Sequence, residues 1–379
     1  MTRSSGVAEH KEKTEHTMID FSFGEDLELV TETAQRFSDE QLLPAQRDFE
    51  QQRAVPLAVL REARDIGFDR IDWPESSGGA GMGAVARVLV TERLAGGCPG
   101  AAIALQPLGS VAHALLAFGG EAALRQHARS LDRPGMRAVL VFDHRSIWQG
   151  AGDALSGSVP WWPADRVDLL AVLSRTGLQL VTHGISVLPL PGAGLRAAGA
   201  SEIRVDRTPV DAAWTDPTAA ALALAHARVH LSALIVGQMH AAAEYARKYA
   251  LERVAFGRPI AHHQALAFLI VDMHSAVDAT RQLLHEAAWR LDACQPATEA
   301  AATALIEAVE NAVFIGSNAV QILGGAGFMR DYPVEKHMRE LRALGLLLGG
   351  ADAARDDALG AGDASLAPIS FLAAGALGA

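Results

Sequence analysis

Two short stretches of this chain combine residue types that could hold an anionic cofactor. The first runs Glu252-Arg253-Val254-Ala255-Phe256-Gly257-Arg258-Pro259, followed by His263-Gln264. The second is Gln321-Ile322-Leu323-Gly324-Gly325-Ala326-Gly327-Phe328, followed by Pro333-Val334-Glu335-Lys336 and Met338-Arg339. A dinucleotide carries a pyrophosphate that needs a cation and backbone N–H groups, and a glycine-rich turn lets the backbone come close to it. Taken singly, Arg253 reads equally well as a surface ion-pairing residue and Gly324-Gly325 as a helix C-cap. Only the combination points to a ligand. The histidines are a weaker signal. His226 and His230 stand four apart and His262-His263 are adjacent, but no further ligand or Glu-x-x-His pattern accompanies them, so a solvated face is the expectation and no metal is assigned.

The rest of the composition restricts the setting. The 379 residues are 50% hydrophobic, 20% charged and only 6% aromatic, too apolar for a disordered chain and too long for one simple core. A formal charge of −11 with no basic block argues against nucleic acid or an anionic membrane as the main partner. Cys98 and Cys294 make neither a disulfide framework nor a zinc site, which suits a reducing cytoplasm, and residues 1–20 have no apolar signal core and read as a flexible arm. Leu94 to Gly120 carries no Asp, Glu, Lys or Arg, but Pro99, Gly100, Pro107 and Gly109 break it into short buried helices rather than a membrane span.

These residues need elements to position them. Helical periodicity from Phe23 to about Leu131, interrupted at Trp73-Pro74-Glu75-Ser76-Ser77-Gly78-Gly79, predicts an N-terminal helical domain over 21–136. Short apolar runs (138–142, 169–173, 178–182, 185–190, 202–205) predict a small β domain over 137–215. Long helical patterns at 219–255, 259–293, 298–323 and 333–348 predict a four-helix bundle over 216–350. From Gly349 onward the Gly/Ala-rich chain reads as a loosely attached tail, 351–379.

With these spacings on the page, the chain closely resembles the acyl-CoA dehydrogenase family. That family has an Arg-x-x-Phe-Gly turn, a Gln eight residues after the Phe, and a Gln-x-x-Gly-Gly-x-Gly loop; Pro74-Glu75 with Gly78-Gly79 is similar to its N-domain turn. The resemblance implies a mainly α fold with a small barrel-like β domain between an N-terminal helical domain and a C-terminal four-helix bundle. It implies FAD, with Arg253 on the pyrophosphate, Phe256 packed against the cofactor, and Gln264, Gln321, Gly324 and Gly325 along its path, all lent to a flavin held mainly by a neighbouring subunit. It further implies an oxidoreductase of lipid metabolism acting on the CH–CH group of an acyl-CoA, a homo- or hetero-tetramer, and an electron-transferring flavoprotein or, as in similar oxidases, oxygen as acceptor.

The chain departs from the family where the proton is removed. Abstraction at Cα requires a carboxylate. Most members carry it ten residues after the Met of Met-Arg, which here is Leu348; a minority carry it 29 residues before the Phe of Phe-Gly, which here is Ala227, beside Arg228. The Thr-Glu-Pro…Gly-Ser-Asp stretch that holds the flavin ring corresponds to Leu140-Val141-Phe142-Asp143-His144, and the Trp-x-Thr wall to Trp161-Trp162-Pro163. Asp352, Asp143 and His144 are weak candidates for a replacement base, and Glu340 reads better as an ion pair with Arg339 and Arg342. The expectation is a base-lacking subunit that completes a partner's FAD site. The alternative is an independently active dehydrogenase or oxidase with a displaced base or a carrier-bound substrate.

Overall fold

The computed structural model describes residues 24–130, 135–151 and 154–359. The N-terminal arm and residues 360–379 of the expected tail lie outside the described residues.

The first domain contains α1 (Glu25–Phe37), α2 (Gln46–Gln52), α3 (Leu57–Ile66), α4 (Gly83–Gly97), α5 (Pro99–Ala104) and α6 (Val111–Ser130). The charge-free segment is thus divided among α4, α5 and the start of α6. The middle region has β1 (Ala138–Phe142), β2 (Gln149–Ala151), β3 (Ala154–Trp162), β4 (Leu169–Leu173), β5 (Gly177–Val181), β6 (Ser186–Pro189), β7 (Ser201–Pro209) and β8 (Ala212–Thr215). These form two four-stranded sheets, ordered β1-β4-β5-β8 and β2-β3-β7-β6. Val139, Val141, Leu170, Val172 and Val181 of the first sheet pack on Leu155, Ile203 and Val205 of the second. β1 and β4 pair in parallel, with Ala138 opposite Leu169. The apolar runs missed β2, β3 and β8, because β2 and β8 are edge segments of only three and four residues and β3 is interrupted by Gly157, Ser158 and Pro160.

The bundle opens with α7 (Pro217–Glu252). Asp216 caps it by accepting from the amides of Thr218 at 2.8 Å and Ala219 at 3.1 Å, and Pro217 occupies the first turn, where its missing N–H costs nothing. A two-residue ladder, β9 (Val254–Ala255) and β10 (Arg258–Pro259), precedes α8 (Gln264–Asp292), so the second helix starts five residues later than expected. Then come α9 (Thr298–Leu323), α10 (Val334–Leu344) and α11 (Gly350–Ala358). Residues 223–239 of α7 are buried on nearly every side and the helix packs against α4, α6, α8, α9 and α10, while its last turns, with Glu244, Arg247 and Lys248, reach the surface. Its most apolar 18-residue stretch is 83% buried, so its hydropathy is explained by core packing. Gly237 lets α4 approach closely: a Cβ there would lie 2.2 Å from the Glu92 carbonyl oxygen.

The fourth bundle helix stops at Leu344, not Leu348, and the segment read as the start of a tail is helix α11. Gly349 and Gly350 take positive φ angles of 78° and 61°, turning the chain so that α11 packs on α9. A buried ion pair then holds it. Arg228 on α7 is fully buried; its Nη2 donates to Asp357 Oδ2 at 2.6 Å and to the Ala353 carbonyl at 3.1 Å. Arg175, at the surface, also donates to Asp357. Removing one partner of such a pair leaves an uncompensated charge in the core. Asp357→Ala is therefore expected to lower unfolding stability by about 3–5 kcal/mol, while the double replacement Arg228→Met, Asp357→Leu recovers most of it; urea unfolding of the three proteins checks this.

Candidate active site

Both positions at which a base was sought line one cavity. Ala227 on α7 and Leu348, in the turn between α10 and α11, share a cavity of about 90 Å³ with Leu140, Trp162 and Leu231. Tertiary packing thus joins two alternatives that lie 121 residues apart in the chain. No carboxylate lines this cavity among the described residues; its ionisable groups are Arg137 and His230. Burial lowers the Arg137 guanidinium to about 10, only partly opposed by Asp165 and Asp168, so it remains cationic at neutral pH. Burial, reinforced by Arg87 and His113, lowers His230 to about 3. A group that weak as a base is poorly matched to a thioester α-proton.

His230 is not on a solvated face, and neither is His226. Side chains from three elements converge behind the cavity. His113 Nε2 lies 2.7 Å from Asp72 Oδ2, Arg87 Nε 3.0 Å from the same oxygen, and Arg87 Nη2 3.2 Å from His226 Nδ1; the His113 and His226 rings stack at 4.6 Å. Burial alone would raise Asp72, but His113 and Arg87 hold it well below the usual carboxylate range. The i, i+4 spacing was correct for a shared helix face, but the partners that bury that face, Asp72, Arg87 and His113, are distant in sequence.

A second, larger cleft of about 700 Å³ lies between the end of β1, β3 and the α10–α11 turn, lined by Phe142, His144, Trp148, Trp161 and Leu348, among others. It corresponds to the place where the family resemblance would seat a flavin ring. Its residues differ from the family's ring-holding pattern. Phe142 offers no hydroxyl, and Pro163, which has neither hydroxyl nor N–H, lines the small cavity instead; the donors that do line the cleft are Ser158, His144 and the indoles of Trp148, Trp161 and Trp162. The Asp143 carboxylate accepts from its own chain, the Ile147 amide at 2.9 Å and the Trp148 amide at 3.3 Å. His144 sits against Gly349, where a Cβ would lie 2.8 Å from its Nδ1. Asp352 reaches the cleft but is paired with Arg355 at 2.7 Å. Glu340 lines neither cavity. Its partner is Lys336 at 2.6 Å, wholly buried, rather than Arg339 or Arg342, because Arg339 is engaged by Glu335 at 2.8 Å and Glu50 at 2.6 Å.

The dinucleotide candidates lie elsewhere, at one end of the bundle. Arg253 terminates α7. Phe256 and Gly257, with φ of 53° and 79°, turn the β9–β10 hairpin, leaving Phe256 93% exposed and edge-on to His263. Gln264 is the first residue of α8. Gln321, Gly324 and Gly325 lie at the end of α9, which runs parallel to α7 because α8 runs back between them. Tyr249, one turn before Arg253, packs on Tyr332 just past the glycine segment, so the two groups share an end. All six residues are exposed. Among the described residues no group of three or more His, Cys, Asp or Glu side chains could hold a metal ion, and both cysteines are free thiols.

Residues 24–131 match the acyl-CoA dehydrogenase N-terminal domain, and residues 218–359 match the C-terminal domain of the same family. The chain belongs to the acyl-CoA dehydrogenase family. Among relatives, it is 28% identical over 369 residues to benzylmalonyl-CoA dehydrogenase of Aromatoleum aromaticum, covering 88% of this chain and 96% of the relative. Among solved structures, butyryl-CoA dehydrogenase of Megasphaera elsdenii superposes with a TM-score of 0.79 at 22% identity, covering 90% and 99% of the two chains. A glutaryl-CoA dehydrogenase of Mycobacterium smegmatis in complex with FADH2 superposes at 0.76 and 19% identity, covering 89% and 94%. Both likenesses concern the fold, which is mainly helical with a small β region, as the resemblance implied.

The buried histidines carry a pH consequence. His230 and His337 are both held near 3 by burial, against an ordinary value of about 6.5, so each is neutral in the folded protein while the unfolded chain takes up a proton. Stability is therefore complete above pH 6.5 and falls as the pH drops towards 3, by up to about 1.4 kcal/mol per pH unit for each histidine. Urea midpoints measured between pH 7 and 4 are expected to fall accordingly, and His337→Gln to flatten the slope.

Proposed function

We propose that this chain is a base-lacking subunit of an FAD-dependent acyl-CoA dehydrogenase complex, completing the dinucleotide half of an FAD site on a partner chain. One observation carries this reading: the two halves of the expected site have parted company. The cavity containing Ala227 and Leu348 has no group able to take a Cα proton, and Phe142 and Pro163 stand where the resemblance would place ring-holding hydroxyls. The exposed end of the bundle nevertheless retains Arg253, Phe256, Gln264, Gln321, Gly324 and Gly325. A side chain as apolar as Phe256, 93% exposed at a hairpin tip, gains only when something covers it. When bound, FAD would supply hydride acceptance. Arg253 would neutralise its pyrophosphate, the glycine turn would present backbone N–H groups, and the base and ring contacts would come from the partner.

Partner contact is also favoured by the bundle surface. Phe268 and Val271 on α8 are 59% and 60% exposed, and the apolar stretch that includes α9 is only 44% buried. A hetero-tetramer with a base-bearing relative accounts for both faces, with an acyl-CoA or carrier-bound acyl group as substrate and an electron-transferring flavoprotein as acceptor. The free thiols Cys98 and Cys294 suit a reducing cytoplasm.

The chain purified alone is expected to be colourless. Co-expressed with a family relative that has Glu at the position of Leu348 or Ala227, it should retain flavin, read from visible absorbance. A yellow homo-oligomer bleached by an acyl-CoA would overturn the proposal. Within the complex, Arg253→Ala should lower the flavin-to-protein ratio several-fold without dissociating the subunits; an unchanged ratio would remove Arg253 from the cofactor.

A further inference from the structure

The small cavity has lost its base, but it holds a buried positive charge. Arg137 immediately precedes β1 and is 8% exposed. Its guanidinium has one protein partner among the described residues, the Ile103 carbonyl at 2.8 Å, and no ion pair. Asp168 is close, yet its carboxylate is occupied: Oδ2 accepts the Arg137 main-chain amide at 2.9 Å and Oδ1 accepts from Arg166 at 2.6 Å. A guanidinium has five N–H donors, and a buried cation without a carboxylate is costly unless a ligand compensates it. Across the cavity His230, also 8% exposed, has no partner for Nδ1 among the described residues. Gln106 and Ser110, both partly exposed where α5 gives way to α6, line the same cavity and leave it open to solvent.

We infer that this cavity binds the carboxylate of a short organic acid, with Arg137 as the charge partner and His230 as a hydrogen-bonding partner. The apolar walls, Leu140, Leu231 and Leu348 among them, would take the hydrocarbon part. The loss of the base and the gain of this ligand belong together physically. A glutamate at 227 or 348 would place a second negative charge in a cavity of about 90 Å³ and repel the acid, whereas Ala227 and Leu348 add none, so the field of Arg137 is offset only by Asp165 and Asp168, which lie outside the cavity lining. The neutral state of His230, which burial maintains, allows its ring to donate to the carboxylate through either nitrogen. The inference rests on the proposed function only in taking the cavity as non-catalytic.

Titration of the flavin-free full-length chain with butyrate and with butyramide, followed by thermal melting and calorimetry, tests this independently of flavin. Butyrate is expected to give a saturable rise in melting temperature, and the isosteric amide to bind roughly tenfold to a hundredfold more weakly, the difference a charged hydrogen-bonding partner provides. Arg137→Lys should retain acid-over-amide selectivity, and Arg137→Gln should abolish it. If the glutamine variant does not fold, the acid-to-amide ratio of the unaltered chain decides the matter. Equal binding of the two probes, or no saturable effect of butyrate, would overturn the inference. Either failure would leave the flavin-lending role standing, because that role is read from flavin retention.

Discussion

A helical stretch buried on every side must be enclosed, and residues 223–239 of α7 impose that requirement on the rest of the molecule. Its 36 residues are flanked by the N-terminal helices on one side and by the remaining bundle on the other. Its few polar residues then dictate specific neighbours. Arg228 requires Asp357, which fastens α11 to the bundle; His226 joins Arg87, His113 and Asp72, which fastens the N-terminal domain. Ala227, between these two anchors, and His230, one turn beyond His226, form one wall of the small cavity. The cavity is therefore built beside the same contacts that hold the domains together.

That arrangement explains how the fold accommodates Ala227 and Leu348 in its cavity. A catalytic carboxylate at 227 or 348 would have to be desolvated in an apolar cavity, at a cost to stability. Ala227 and Leu348 remove that cost and leave the core contacts intact, with both residues nearly buried. The six cofactor-facing candidates depend on none of this packing. They sit on a hairpin, a helix start and a glycine turn at the exposed end of the bundle, so they can be kept or lost independently of the cavity.

Much of this was legible in the residues. The apolar period and the Gly/Pro breaks marked the helical, β and helical order, and the Arg-x-x-Phe-Gly and Gln-x-x-Gly-Gly spacings carried the family. Local rules failed where a distant partner intervened. Glu340 has arginines beside it in sequence, but Lys336, one helical turn back, faces the same buried side, and Arg339 is drawn away by Glu335 and Glu50. His226 and His230 looked solvated because nothing nearby in sequence covers them. Gly349-Gly350 looked like the end of order, although positive φ at both positions is what redirects the chain into α11.

The sequence by itself determined which residues are absent, since no conformation can make Leu348 or Ala227 accept a proton, and which are present at cofactor spacing. Those are properties of side-chain chemistry and of separation along the chain. Only the tertiary structure decided that both vacated positions face one cavity, that Arg137 and His230 share it, and that the cofactor-type residues stand together at the surface. The physical reason is that burial and charge pairing are set by which elements meet, and residues 72, 113, 137, 226 and 348 meet only when the helices close around α7.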